Sequence, residues 1–471
     1  MISIRARTVA IIGAGPSGLV AAKYLRAEKA FDEVVIFEQR ASSGGIWNYT
    51  PHHTNEDLFH IPQTNPRGLN QEPAWIHKAN GCNGENKAVS FLSPIYERLE
   101  TNIPRGLMGF QDLDWPPECQ LFPEHGVVLD YIKDYGKEFQ SLIRYETQVV
   151  NVEPADESPV GSWRVKTRDL RSNKTHQHVY DAVIVANGHF IVPNIPNIAD
   201  IQEWNNRYPD TISHSKYFRT PEVYAQKKVV VPLIWSSKST SMLKPAPDPK
   251  KKEVPPISRF IPETRSVQFE DGTVETDVDA IVFATGYFYS LPFLQDVRPE
   301  LITDGSHVLH TYRHLFYSPR PTLSFLALNQ RVIPFPICEA QSAVLGRVYS
   351  GRLSLPAYSD MNEWEKSTVA EMGNGKNFHL LPFPKDGIYI NELSKWASEA
   401  TLREGLDNGG KGKTGPVWGE WEFWCRENFP AIRAAFGAQG NIRHSIKSLE
   451  ELGFDYKEIV KRGGSGESKL I

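Results

Sequence analysis

A short, wholly apolar run that ends in closely spaced glycines leaves a chain few ways to fold. Val9-Ala10-Ile11-Ile12 reads as a buried parallel strand. It runs into Gly13-Ala14-Gly15-Pro16-Ser17-Gly18, and Leu19 to Phe31 then has helical character, with Leu19, Ala22 and Leu25 on one face. Val34-Val35-Ile36-Phe37 is a second buried strand, so the chain opens as a βαβ unit. Glu38 ends that strand, 20 residues beyond Gly18. In this context the GxGxxG spacing is a dinucleotide fingerprint. Gly13 makes the tight turn, Gly15 admits a pyrophosphate, and Gly18 lets helix and strand pack. Pro16 and Ser17 open the helix whose N–H groups face the phosphates. Glu38 can accept hydrogen bonds from a ribose diol, and its charge repels a 2′-phosphate. The site therefore suits FAD or NAD rather than NADP. Gly44-Gly45-Ile46-Trp47 permits another close backbone approach and a wall for a flat ring; as bare residues these four also read as an ordinary turn with a core tryptophan.

The rest of the chain extends this α/β pattern. Asp181-Ala182-Val183-Ile184-Val185-Ala186-Asn187-Gly188-His189-Phe190 matches Asp279-Ala280-Ile281-Val282-Phe283-Ala284-Thr285-Gly286-Tyr287-Phe288. Both are buried strands ending in small residues, which predicts two related nucleotide-binding units, one inserted in the other. Trp163 to Thr167 alternates like an antiparallel strand. Val267 to Glu270 does the same, and Asp271-Gly272 marks a hairpin into Thr273-Val274. Residues 50–90 read as loop. Lys244 to Pro256, rich in Pro and Lys, is expected as an exposed loop that forms neither helix nor central strand.

Bulk properties bound the function. The 471 residues suit two or three domains, and 40% hydrophobic with 23% charged residues allows a large core. A net charge of −4 without a strongly basic stretch argues against nucleic acid as the main partner. No run of 18 apolar residues predicts a membrane span. The four cysteines, Cys82, Cys119, Cys338 and Cys425, lack pairing or metal-like spacing, so no metal is expected and a cytoplasmic, reducing setting is.

Taken together, several motifs give the chain a resemblance to the flavin-containing monooxygenases, especially their soluble fungal branch. They are the first Gly-rich turn, Gly44 to Trp47, Thr101-Asn102-Ile103-Pro104, Tyr208 through Phe218, Phe283 to Tyr287, and Pro334-Phe335-Pro336 with Gln341. The family fingerprint Phe-x-Gly-x-x-x-His-x-x-x-Tyr/Phe is kept at His214 and Phe218 and departed from at Tyr208 and Asp210. Related Baeyer–Villiger enzymes carry Trp at the last position, so Phe218 favours oxidation of heteroatoms. His214 suits a structural link between domains as well as a functional role. The resemblance implies NADPH reducing FAD, O2 adding to the reduced flavin as a C4a-hydroperoxide, and a small nitrogen or sulfur nucleophile, such as a dimethylaniline or a thiol, taking the distal oxygen. It implies Asn102 at the flavin and peroxide, a task an amide suits because it donates and accepts without titrating; as a bare residue Asn102 is a turn former. It further implies cofactor contacts at Gly45, Ile46, Trp47, Thr101, Thr285 and Gln341, with Val149 offering backbone to the adenine. A homodimer is also among the expectations.

One part of the pattern is missing. Lys227-Lys228-Val229-Val230-Val231 reads as the strand opening the second unit, yet Pro232-Leu233-Ile234-Trp235-Ser236-Ser237-Lys238 follows without a GxGxxG or a helix. That segment resembles the family's next strand, with Ser237 and Lys238 as the 2′-phosphate contacts. The crossover between parallel strands, about a dozen residues or more, has no counterpart here. The expected organisation is a Rossmann-like FAD-binding domain over 1–190, a truncated NADPH-binding domain over 191–274, and the rest of the FAD domain with C-terminal helices over 275–471. The rival expectation is an FAD-binding protein without productive monooxygenase turnover.

Overall fold

In a computed structural model of the chain, residues 1–51, 60–66, 70–77, 87–225, 229–230, 234–236 and 252–461 are described. The apolar run at the start forms the strand Thr8–Ile12, with the parallel strands Ala182–Val185 and Glu33–Phe37 on its two sides. Leu323–Phe325 and Ile143–Arg144 extend the parallel set outward, and two short antiparallel strands, Phe316–Tyr317 and Thr311–Tyr312, complete a seven-stranded sheet.

Alternation along the first strand decides what covers each face. Val9 and Ile11 are fully buried with Leu19, Ala22 and Leu25 of the helix Pro16–Ala27 and with the helix Pro334–Tyr349. Ala10 and Ile12 face the other way, into a cluster with Val152, Trp163 and Val165. Those three belong to an antiparallel sheet of Thr147–Pro154, Trp163–Asp169 and Thr175–Tyr180. A strand apolar on both faces is stable only when both are covered. Each fully buried Val, Leu or Ile then contributes about 1.5–3 kcal/mol. From the C-terminal region, Trp418, Cys425, Ile432 and Phe436 join the same cluster as Ile11.

A second sheet has the order Ile212–His214, Ala280–Phe283, Val229–Val230, Ile234–Ser236, Lys252–Val254, all parallel. The internal repeat has a structural counterpart. Ala182–Val185 lies beside the first strand of its sheet, with Val9 opposite Ala182, and Ala280–Phe283 lies beside Val229–Val230, with Val229 opposite Ala280. Because Ala280–Phe283 pairs within the second sheet, that unit reaches past the boundary expected at 274, to beyond Phe283. The two segments joining the sheets pair with one another, Val192–Pro193 antiparallel to Tyr287–Phe288.

Three local readings meet different outcomes. The Asp271-Gly272 hairpin is formed, Ser266–Phe269 pairing with Val274–Glu275. The stretch read as loop over 50–90 contains an antiparallel pair, Ala74–His77 with Lys87–Ser90. Of the expected loop from Lys244 to Pro256, residues 244–251 lie outside the described residues, and Lys252–Val254 is an edge strand. At an edge only one side of the strand must pair, so the flanking Pro255 and Pro256 are tolerated.

Candidate active site

The parallel strands of the first sheet all end at one edge. Gly13, Glu38, Ala186 and Leu326 follow them there, and a doubly wound sheet holds its ligand at such an edge. Gly13 has φ +107°, and a Cβ on it would stand 2.6 Å from the carbonyl oxygen of Ala186. A Cβ on Gly18 would stand 1.9 Å from the carbonyl oxygen of Gly13, so helix and strand touch through bare backbone. Gly15 is the N-cap of the helix Pro16–Ala27 and gives no side-chain cap, with Pro at the helix start and no acidic residue in the first turn. The leading N–H groups are thus left for an anion.

Gly44 and Gly45 clasp this turn. The Gly44 N–H donates to the Ala14 carbonyl at 2.9 Å, and a Cβ on Gly45, at φ +57°, would stand 3.1 Å from the Gly15 Cα. Ile46 and Trp47 continue as a short 3₁₀ turn, and half-buried Trp47 packs against the core. Pro16 and Ser17 lie in the first helical turn, where Ser17 Oγ is 3.2 Å from Cys338 Sγ. Burial pushes the Cys338 thiol up to about 12.

Glu38 is buried, and the Ala14 N–H donates to its Oε2 at 2.7 Å while the Arg40 N–H donates to its Oε1 at 2.8 Å. Burial raises its carboxyl, opposed by those two N–H groups and the Arg40 charge. Each oxygen keeps a lone pair for a further donor such as a ribose hydroxyl. Bare-backbone turn, uncapped helix end and buried acceptor together fit FAD.

Thr101 is buried, donating its N–H to Pro123 and its hydroxyl to Ile103, each at 2.9 Å. These bonds hold up Asn102, which is exposed and forms no hydrogen bond among the described residues. Val149 is buried on Thr147–Pro154, just before a bulge, in the same cluster as Phe37. Thr285 is exposed and its hydroxyl donates to the Asn194 carbonyl, so it belongs to the ribbon between the sheets rather than to the first turn. Ser237 and Lys238 lie outside the described residues.

Gln341, expected at the flavin, is held by the protein itself. It is fully buried, its Oε1 accepting the Ala327 N–H at 3.0 Å and its Nε2 donating to Asn329 Oδ1 and Tyr389 Oη, both at 3.1 Å. Its amide is thus held by protein partners and anchors the loop that begins at Leu326.

The fingerprint region links the two sheets. His214 is buried at the end of its strand, accepts the Lys216 N–H on Nδ1 at 3.1 Å, and meets Tyr287 edge-on at 5.1 Å. Burial lowers it to about 4, which leaves it neutral. Asp210, where the family has Gly, adopts φ +64°. Phe218 lies between Tyr96 and Tyr224. Next to it the buried Arg219, which sequence reasoning passed over, donates to the carbonyls of Ser93, Ile95, Lys216 and Phe218. An arginine directly after the motif was its one sequence signal. Among the described residues no cluster of His, Cys, Asp or Glu could hold a metal, and no helix is long and apolar enough to cross a membrane.

A model of flavin-binding monooxygenase-like proteins matches residues 82–242 and 255–379, and one of NAD(P)-binding Rossmann-like domains matches residues 11–78. The chain belongs to the flavin-binding monooxygenase-like family. Within it, the chain is 33% identical over 446 residues to the flavin-containing monooxygenase FMO GS-OX-like 3 of Arabidopsis thaliana, covering 85% of this chain and 92% of that one. It is 28% identical over 478 residues to the flavin-containing monooxygenase iboF of Amanita muscaria, covering 84% and 89%. The solved structure of S-allyl-L-cysteine S-oxygenase from Allium sativum superposes with a TM-score of 0.72 at 27% identity, covering 98% of this chain and all of that one. The protein is a flavin monooxygenase, an oxidoreductase acting on a substrate and O2, and FAD and NADPH are the cofactors of the family's reaction.

Val229–Val230 and Ile234–Ser236 are parallel neighbours with Val230 opposite Ile234, so only residues 231–233 separate the paired positions. Parallel neighbours ordinarily need a crossover of about a dozen residues or more. The chain has no glycine from residue 189 to residue 271.

Proposed function

We propose that this flavin monooxygenase oxygenates the nitrogen or sulfur of a small nucleophilic substrate, with NADPH as reductant, in the cytoplasm. The exposed amide of Asn102, held up by the buried Thr101, carries the reading. The cofactor supplies the redox and oxygen chemistry when bound. The chain's part is to bind, orient and keep water out. Glu38 and the helix that begins at Pro16 would hold the adenosine and pyrophosphate ends, and the Asn102 amide would offer a donor and an acceptor beside the flavin without changing charge. Phe218, packed between two tyrosines, supports heteroatom oxidation over ketone insertion, because the related Baeyer–Villiger enzymes carry Trp there. The S-oxygenase likeness supports sulfur as the atom oxidised.

A second reading is favoured by the strand pair Val230 and Ile234. With no glycine turn and no crossover helix between them, the unit lacks the N–H groups that grip a pyrophosphate. Ser237 and Lys238 are then left to hold the adenosine end alone. On this reading the chain binds FAD and turns over poorly with NADPH.

Substrate-dependent NADPH consumption tests the first reading. A thioether or tertiary amine should yield one oxygenated product per NADPH in excess of any cyclic ketone. Asn102→Ala should keep its FAD, lose about 100-fold in product rate, as removal of an oriented hydrogen-bond partner does, and release more hydrogen peroxide per NADPH. Parental product yield and peroxide release in this variant would count against a role for Asn102.

A further inference from the structure

Both segments that join the sheets reach one short loop. Leu326 to Gln330 follows the strand Leu323–Phe325 and so lies at the edge that carries Gly13 and Glu38. Its start is tied down by the sheet, the Leu326 N–H donating to the Val185 carbonyl at 2.9 Å. Gln341 accepts the Ala327 N–H and donates to Asn329. From the outgoing segment, His189 is lowered by burial to about 4, a fall that the neighbouring Ala327 backbone opposes. From the returning segment, the Tyr289 hydroxyl donates to the Leu328 carbonyl and accepts from Gln330 Nε2 at 3.0 Å. The two rings also meet, with centroids 5.2 Å apart.

These bonds hold a backbone that would otherwise relax. Ala327 has φ +56°, in the left-handed region. That conformation costs an L-residue about 1–2 kcal/mol. It persists only where the surroundings over-determine it. Along the chain, the paired segments Val192–Pro193 and Tyr287–Phe288 neighbour His189 and Tyr289, on the way to and from the second sheet.

We propose that His189 and Tyr289 are positioning residues for the flavin: from the two linkers they fix the Leu326 to Gln330 backbone at the cofactor edge, and so couple the placement of the second domain to the flavin's surroundings. The proposal rests on FAD occupying that edge. It does not rest on the substrate or on NADPH turnover.

The test uses the FAD-loaded chain and needs no nicotinamide. Tyr289→Phe removes one hydroxyl and should leave FAD content unchanged. The flavin's oxidised-to-reduced equilibrium, read in a dithionite titration against a reference dye, should shift by about tenfold, or about 30 mV for a two-electron couple. Amide hydrogen exchange over 326–330 should quicken by about tenfold as the loop opens more readily. His189→Gln should act in the same direction through Ala327. Tyr208→Phe is the control, since that hydroxyl donates to the Pro262 carbonyl at 2.8 Å inside the second domain. It should leave both readings at parental values. An unchanged potential and unchanged exchange in Tyr289→Phe overturn the proposal, as does an equal shift in Tyr208→Phe. Because neither reading involves NADPH or O2, a failure of the monooxygenase reading leaves this outcome interpretable.

Discussion

At the scale of single residues, Gly15 and Gly18 sit in the same turn for different reasons. Gly15 has φ −74°, and a Cβ there would meet nothing closer than the Gly45 Cα at 3.6 Å. The fold itself therefore accepts a side chain at 15, whereas Gly18 has no room for one. Gly15→Asp should fold and lose its FAD, because the new charge would repel a pyrophosphate at the helix N-terminus. Parental flavin content in that variant, measured by absorbance after desalting, would remove the first turn from the account. Asp210 is the opposite case, a side chain where the backbone prefers none. It is exposed at φ +64°, so Asp210→Gly should be more stable than Asp210→Ala by about 1 kcal/mol in urea unfolding. Equal midpoints would show that the departure from the family fingerprint carries no backbone strain. The roles of glycine were legible in the sequence because they follow from spacing. The hydrogen-bond partners of Gln341 were not, since a buried amide reads the same whichever groups it meets.

At the scale of elements, the helix Pro334–Tyr349 is buried along nearly its whole length and still carries Glu339. The Gln111 N–H donates to Glu339 Oε2 at 3.0 Å, while Oε1 is buried without a partner. Burial raises this carboxyl from 4.5 to about 7, with Asp112 adding to the rise and the Gln111 N–H, Lys413 and Lys23 opposing it. The fold thus favours the protonated form by about 3 kcal/mol. A raised carboxyl contributes stability that is whole below the unfolded value and is lost as pH climbs through the folded one. Glu339→Gln cannot ionise, so parent and variant should match near pH 4.5, and the variant should gain on the parent between there and pH 8. A stability difference that stays flat over that range would contradict the assignment. The strands around this helix were readable from apolar runs, and so was the Asp271-Gly272 hairpin. The edge strand Lys252–Val254 was hidden among prolines and lysines, because its place is set by the neighbour Ile234–Ser236 and not by its own pattern. The return strand Ala280–Phe283 was legible as a repeat, while the boundary expected at 274 fell before it, since a buried apolar strand does not encode which partner it meets.

At the scale of the whole molecule, two sheets share one architecture and differ in their glycines. The first has its turn, its crossover helix and Glu38; the second pairs Val230 with Ile234 across three intervening residues. If that shortening removes the pyrophosphate grip, the nicotinamide is not held at near-attack distance over the flavin. A misplacement of about 1 Å there costs on the order of 100-fold in rate. The FAD site is untouched by this deficit. Stopped-flow flavin absorbance therefore tests the account most directly, comparing the chain as it stands with one carrying a Gly-rich turn and a crossover helix inserted between Val231 and Pro232. Both should be yellow and both should be bleached by dithionite, while NADPH should reduce the repaired chain about 100-fold faster. Equal NADPH reduction rates in the two chains would contradict the account.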